Sequence, residues 1–526
     1  MSEPGTVTAP GPHRGRSVGI VGILTLFVSV LGYLREAALA SRFGVSTTMD
    51  AYFGAIFVPN VLYSILITGA LSPVFIPILL HDKASEDQAK TSETFSVITT
   101  MVLLLLLVIA ACGMLSARLW LPLLFAGFDA GTTLVSVRLV YIVFPAVLFL
   151  ALSGILSASL NGFNRFAIPA LAPAMSSIAV IVAAFVTHGP YAVYFVGAAT
   201  ATGFLLQALF LIPAASSLGF RYRPKVAFRH PAIQKLLLLG GPLLLYLVVA
   251  NTSALLERNL ASRLSAGMVS TVTYAQRLFT VPAGFLAAPL AIVAYPQFAR
   301  EALREGRGEL ASQISRMLRL VVFLFLPITV WAILNALPVT RLLYEHGRFV
   351  LNDSILTSKV LTIYSFGILP NAATIILLRG FFAVEDTTTP LAAELVSLLC
   401  FAAGATWMTA HWGLVGLVAS RTTTFFLTTL ILVYILWKKK RLLANDSTFT
   451  GFLAKTIAAT LAMALASWGC FHWLNPFFDS GSTLARLGII ALTLAVSAAT
   501  YLAFARLFRM REAHQILETA RGLLPG

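Results

Sequence analysis

Apolar stretches of membrane-spanning length recur from Arg16 to about Arg506, roughly fourteen of them, each needing about 20 residues to cross a bilayer. A chain of this kind folds as an all-α polytopic membrane protein, because lipid offers no hydrogen bonds to unpaired backbone. The expected spans are residues 17–41, 49–80, 94–119, 132–160, 167–187, 190–217, 233–262, 268–299, 311–337, 355–384, 389–411, 413–437, 450–474 and 483–507. Only 11% of the residues are charged, against about 25% in a soluble domain. The net charge of +16 does not indicate nucleic acid, because Lys and Arg sit mostly in short loops between apolar runs.

Those loops alternate in charge. Arg14 and Arg16 fall on one side, with Arg221, Arg223, Lys225 and Arg229, then Arg300, Arg304 and Arg307, then Lys438, Lys439, Lys440 and Arg441. The positive-inside rule makes that side cytoplasmic and places both termini there. Residues 1–15 are polar and rich in Pro and Gly, so they read as a disordered tail. The segment from Arg14 to Ala40 mimics a signal peptide, but its apolar run is long and Arg35-Glu36 intrudes, so it reads as a retained first helix. Cys112, Cys400 and Cys470 each lie in an apolar run without metal or disulfide spacing, and are expected as small buried hydrophobes.

The chain repeats itself. Leu39-Ala40-Ser41-Arg42-Phe43 returns as Leu260-Ala261-Ser262-Arg263-Leu264, with an arginine offset of 263 minus 42, or 221. Polar turns ending in Pro169 and Pro390 show the same offset. Six spans separate the copies, so both halves cross in the same sense, as a parallel repeat. The expected organisation is an N-lobe at 16–220, a C-lobe at 221–440, two added helices at 441–510 and a cytoplasmic tail at 511–526. Helix breakers match as well: Pro59, Gly69, Pro73 and Pro77 in the second span, Pro282, Gly284, Pro289 and Pro296 in the eighth. Matched kinks suit lobes that rock, although membrane helices also tolerate Pro without such a role.

Charges within the spans are costly in lipid and mark a cavity or a partner. Arg35, Glu36, Asp50, Glu257, Arg258, Arg263 and Arg277 gather in two places, once per half. An arginine keeps its charge and offers a planar donor fork suited to phosphate or pyrophosphate. The candidate substrate-binding residues are therefore Arg35, Arg277, Arg258, Asp50 and Arg263. The alternatives are internal pairs, such as Arg258 with Glu257 or Glu36, snorkelling for Arg42 and Arg263, and a helix cap for Asp50. Glu394 and Arg421 fit either a mutual pair or a cation site. There is no Walker motif, GxSxG, HExxH or acidic pair, so neither catalysis nor ATP hydrolysis is indicated, and no metal or cofactor is expected.

Several motifs resemble the MurJ (MviN) family. They are Leu31-Gly32-Tyr33-Leu34-Arg35-Glu36, Phe43-Gly44, Met49-Asp50-Ala51-Tyr52-Phe53, Val58-Pro59-Asn60, Gly69-Ala70-Leu71-Ser72 and Phe75-Ile76-Pro77. Tyr274-Ala275-Gln276-Arg277-Leu278, Leu343-Tyr344-Glu345-His346-Gly347-Arg348-Phe349 and Arg379-Gly380-Phe381-Phe382-Ala383 extend the likeness over about residues 17–510. The resemblance implies fourteen helices, two six-helix lobes and two further helices forming a lipid groove. It also implies a monomer that flips lipid II, with the arginine positions met by Arg35 and Arg277 and the motif aspartate by Asp50. The chain departs from the pattern at Ser29, Tyr63, Ser64 and Thr68, where the family often carries charge. Arg258 and Arg263 are then candidates to supply positive charge from the other lobe. Alternatives are a flippase for another lipid-linked glycan, a multidrug exporter driven by a coupling ion, or a polytopic glycosyltransferase, though no sizeable extramembrane loop is visible for the last.

Overall fold

A computed structural model of the protein describes residues 12–65, 75–84, 88–304, 308–439, 442–443, 448–480 and 482–513. Outside them lie residues 1–11 of the expected N-terminal tail, Thr68, Gly69, Ala70, Leu71, Ser72, Pro73, Arg307, Lys440, Arg441 and the 514–526 part of the C-terminal tail. Every regular element among the described residues is helical.

The chain divides into two compact units, Met1–Val248 and Val249–Gly526. In the first, the helices are α1 (Pro12–Phe43), α2 (Thr47–Tyr63), α3 (Ile76–Ala84), α4 (Gln88–Leu115), α5 (Ala117–Leu124), α6 (Ala130–Val143), α7 (Ala146–Gly162), α8 (Ala167–Leu171), α9 (Pro173–Val186) and α10 (Ala192–Ser216). Helix α11 (Pro231–Ser262) runs from one unit into the other. The second unit continues with α12 (Met268–Pro282), α13 (Ala288–Ala302), α14 (Gly308–Leu334), α15 (Ala336–Tyr344), α16 (Leu351–Ser365), α17 (Ile368–Ala383), α18 (Thr388–Tyr434), α19 (Phe449–Ser480) and α20 (Thr483–Leu507).

Nine helices among the described residues are long and apolar enough to cross a membrane, and eleven when each of two bent pairs counts as one span. Helix α11, α2 with α3, and the two arms of α18 make this consistent with the fourteen spans expected. The arms of α18 meet at Gly413, whose φ of 56° an L side chain rarely adopts. The return is tight: a Cβ on Gly416 would stand 2.0 Å from the Met408 carbonyl oxygen.

The sequence repeat is also a repeat of elements. Helices α2 and α12, α6 and α16, and α8 and α18 begin 221 residues apart (268 minus 47, 351 minus 130, 388 minus 167). The spans α6–α7 and α16–α17 are bent by 46° and 44°. Both are followed, two residues on, by a residue with positive φ, Asn164 at 61° and Glu385 at 56°, again 221 apart. The expected kink of the eighth span is a π-helical turn, Ala283–Ala287, between α12 and α13. Pro282 precedes that turn.

In the first unit α10 packs on α6, α7 and α9, and α2 packs on α6 and α7, with Phe75, Ile98, Val102, Leu106, Ile155 and Leu211 buried in the core. In the second, α19 and α20 pair with each other and dock on α14 through Phe323, Met463 and Tyr501. Two ionic clamps secure them. Arg341 bonds Glu345 at 2.8 Å and Asp479 at 2.5 Å, and Arg486 reaches Glu345 at 3.4 Å. Arg319 bonds Glu512 at 3.1 Å and the Thr448 hydroxyl at 3.0 Å.

The cysteines correct one expectation. Cys112 and Cys400 are exposed, and Cys470 is half-buried with its Sγ 3.9 Å from the Thr493 hydroxyl. On a spanning helix an exposed face meets lipid, where a thiol costs little, so apolar surroundings did not require burial within the protein.

Candidate functional site

The second unit builds a polar cluster around one carboxylate. Glu257 lies near the end of α11 and is fully buried. Gly267, at φ 86°, lets the chain reverse into α12, which returns Gln276 to Glu257. Gln276 Nε2 donates to Glu257 Oε2 at 2.6 Å. Tyr364, two residues before the bend between α16 and α17, donates its hydroxyl to Glu257 Oε1. That hydroxyl also accepts from Gln276 Nε2 at 3.2 Å. The second arm of α18 brings Arg421, whose Nε is 3.9 Å from Glu257 Oε2. The Arg421 guanidinium also lies 5.0 Å and 5.5 Å from the ring centroids of Phe425 and Phe401. Phe279 stacks on Tyr364 at 5.5 Å and on Phe425 at 5.3 Å, so an apolar wall backs the cluster.

Gln276 faces both ways. Its amide nitrogen serves Glu257 and Tyr364, which turns its oxygen to Arg258 Nη2 at 3.1 Å. Arg258 Nη1 donates to the Ala254 carbonyl at 3.2 Å. Arg277 follows Gln276 on α12, is half-buried, and acts electrostatically on Arg258. Two guanidiniums, those of Arg421 and Arg258, therefore share the field of Glu257. Glu394, half-buried on α18 and influenced by Arg421, adds one more carboxylate. Arg421 is thus tied directly to Glu257, beyond the expected partnership with Glu394.

In the first unit Arg35 Nη2 donates to Glu36 Oε1 at 2.7 Å. Asp50 is buried, but it is not the helix cap that its position suggested. Ser46 caps α2 by accepting from the Met49 amide at 3.3 Å, and Asp50 lies one turn inside. The Tyr52 and Thr200 hydroxyls lie 2.8 Å apart, and Thr200 donates to the Val196 carbonyl, so its oxygen accepts from Tyr52. Among the departures from the family pattern, Ser29 turns its hydroxyl back to the Thr25 carbonyl at 2.8 Å, and Tyr63 packs on the core.

Of the five candidates, Arg258 and Arg277 share the cluster of the second unit, and Arg35 and Asp50 belong to the first unit. Arg263 is exposed in the turn just past α11. Gln276 and Tyr364 were not among the candidates, because a search for intramembrane charge passes over neutral groups. The 221-residue offset from Glu36 to Glu257 was the signal that could have pointed to the carboxylate at the centre.

A further feature adjoins the π-helical turn. Val281, Pro282, Phe285 and Leu286 form one side of an apolar cavity of about 560 Å³, closed by side chains of α14, α19 and α20, including Trp331 and Tyr501.

Residues 39–506 match the family model described as lipid II flippase MurJ. The chain belongs to the lipid II flippase MurJ family. It is 28% identical over 499 residues to the lipid II flippase MurJ of Burkholderia cenocepacia, covering 92% of this chain and 96% of that one. It is 28% identical over 516 residues to the probable lipid II flippase MurJ of Vibrio cholerae, covering 94% and 95%. A solved lipid II flippase MurJ, in an inward closed conformation, superposes with a TM-score of 0.78 at 23% identity, covering 93% of this chain and 98% of that one. An inward-facing MATE multidrug transporter of the MOP superfamily superposes at 0.60 with 16% identity, covering 80% and 98%. The MurJ fold thus spans almost the whole chain, and the MATE likeness shows the wider architecture to which MurJ proteins belong.

Proposed function

We propose that the protein flips lipid II, an undecaprenyl-pyrophosphate-linked peptidoglycan precursor, from the inner to the outer leaflet of a bacterial cytoplasmic membrane. The observation that carries this reading is the match of residues 39–506 to the lipid II flippase MurJ family, and the guanidiniums of Arg258 and Arg421 beside Glu257, in a unit made of membrane-length helices, support it. Charges at membrane depth mark a cavity or a partner, and a substrate anion is one such partner. A pyrophosphate supplies several acceptor oxygens, two of which a planar arginine fork can engage at once. Arg277 and Arg258 are the candidate anion-binding groups of the second unit, and Arg35 is that of the first. The apolar cavity beside the π-helical turn suits the isoprenoid tail, which then stays in a greasy environment while the headgroup crosses.

Movement follows from the repeat. Two lobes, residues 16–220 and 221–440, rock about their matched bends, and residues 441–510 carry the tail. Lipid II shifts the balance between the two states only through its different affinity for them. The basic loops put both termini in the cytoplasm.

The test is replacement of a flippase-depleted bacterium's own protein by variants of this one. Arg277→Ala should insert normally and fail to support growth, with lipid II accumulating in the inner leaflet. Arg277→Lys should rescue in part, because it keeps the charge and loses the fork. Normal growth on the Ala variant removes Arg277 from the site. Accumulation of a different lipid-linked glycan on depletion of the wild-type protein reassigns the substrate.

A further inference from the structure

Between α10 and α11 the chain does not loop freely. Residues 219–225 form a strap fastened along α4 by three hydroxyls. The Arg221 amide donates to Ser92 Oγ at 3.3 Å, the Arg223 amide to Ser96 Oγ at 3.0 Å, and the Lys225 amide to Thr100 Oγ1 at 3.3 Å. Four helical residues rise about 6 Å, so two strap residues span about 6 Å, the advance of nearly extended chain. Ser96 returns a bond to the Arg221 carbonyl at 3.4 Å, and Gln88 Nε2 donates to the Gly219 carbonyl at 3.2 Å. Gly219 has φ 84°, and a Cβ there would stand 2.5 Å from Gln88 Nε2.

Extended chain alternates its side chains, and the sequence uses that. Phe220 stacks on Phe95 at 5.3 Å, and Tyr222 meets the same ring edge-on at 6.4 Å. Arg221, Arg223 and Lys225 alternate with them and are exposed. They line a cavity of about 930 Å³ with Gln88, Ser92 and Glu93. Glu93 is ion-paired with Lys225. Among the described residues, neither the Arg221 nor the Arg223 guanidinium has an ion-pair partner. Depth agrees with a headgroup. The 28 residues of α4 span about 42 Å against a hydrocarbon core of about 30 Å, so about eight residues project beyond it. The ladder from Ser92 to Thr100 therefore straddles the interface, where arginines and aromatic side chains settle.

We propose that this strap is a built site for an anionic phospholipid, whose phosphodiester sits between Arg221 and Arg223. The hydroxyl ladder fixes the backbone of the two arginines about 7 Å apart on one face, and spares the lipid the entropy of ordering a loop. The site is independent of the flippase reading.

The experiment uses the full-length purified protein in neutral detergent. Its unfolding midpoint is followed while phosphatidylglycerol, phosphatidylcholine or inorganic phosphate is added. Phosphatidylglycerol should raise the midpoint saturably, and the other two should not at matched concentration. Arg221→Gln with Arg223→Gln should weaken the apparent affinity for phosphatidylglycerol by about thirtyfold, the product of two basic contacts at an interface. Arg229→Gln, an exposed charge outside the ladder, should change it by less than about threefold. The arginine pair decides, because both side chains are exposed and their loss leaves the backbone bonds of the strap in place. Unchanged affinity in that variant, an equal loss in Arg229→Gln, or an equal shift with inorganic phosphate each overturns the lipid site.

Discussion

Glu36 and Glu257 are the same residue of the repeat, 221 positions apart, each near the end of a long helix and each buried. Their surroundings differ. Glu36 takes its ion pair from the preceding residue, Arg35. Glu257 draws groups from α12, α16 and α18. At the first-unit positions matching Arg258, Gln276, Arg277, Tyr364 and Arg421 stand Ala37, Ala55, Ile56, Val143 and Thr200. Where the second unit joins α11 to α18 through an ion pair, the first joins α2 to α10 through two neutral hydroxyls, Tyr52 and Thr200. One fold, used twice, thus surrounds its buried carboxylate with different side chains in its two copies. A duplicated scaffold keeps its bends and diversifies the residues that face its interior.

Removing the carboxylates should separate the two units most sharply. Glu257→Ala strands Arg421 and the Gln276 amide, and should cost about 3–5 kcal/mol in denaturant unfolding of the purified protein. Glu36→Ala should cost less, about 1–3 kcal/mol, because the Arg35 side chain is 23% exposed and can turn outward. Equal losses would break the contrast between the units.

The tyrosines test it next. Tyr364→Phe removes a hydroxyl bond to an ionised acceptor and should cost about 1.5–3 kcal/mol, whereas Tyr52→Phe removes a neutral one and should cost about 0.5–1.5 kcal/mol. The reverse order would mean that Glu257 does not hold its charge in the folded protein.

Gln276 offers a sharper test of connection. Gln276→Leu should destabilise by about 1–2 kcal/mol and also detach Arg258 from the cluster. Adding Arg258→Ala to it should then cost clearly less than Arg258→Ala alone, with a coupling of about 1 kcal/mol in the double-mutant cycle. Additive losses would show that the amide does not link Arg258 to Glu257.

The smallest effect lies outside the spans. Asp129 caps α6, and the Thr132 hydroxyl, with the Thr132 and Gly131 amides, holds its carboxyl below the usual value. A depressed carboxyl stabilises fully above its unfolded pKa of about 3.9, and that contribution fades as pH falls through the lower folded value. Asp129→Asn should therefore lower the unfolding midpoint slightly at pH 7, with the gap to wild type closing in strongly acid buffer. Leu351, which begins the matching helix α16, is preceded by Val350, so a comparable substitution there should not show this pH dependence.

Much of this architecture was legible in the residues. The apolar runs, the repeat from Arg42 to Arg263 and the breakers around Pro282 announced membrane helices, two related halves and a kink. Charge in an apolar run is a loud signal, so Arg258, Arg277 and Glu257 stood out. Position along a helix was read less well. Asp50 looked like a cap, yet Ser46 takes that role, because capping depends on backbone conformation at one residue.

The sequence by itself determined which segments are helical, how they repeat and which carry charge, since lipid solvation and helix periodicity are local properties of the chain. It did not determine who meets Glu257. Tyr364 and Arg421 lie 107 and 164 residues further along (364 and 421 minus 257), and Gln276 is an ordinary polar residue until folding puts its amide between a carboxylate and a guanidinium. Those meetings come from helix packing and from the bends at Ser365 and Gly413, which aim particular faces at one another. Hydrogen-bond partnership is a property of three-dimensional distance, and only the tertiary structure supplies it.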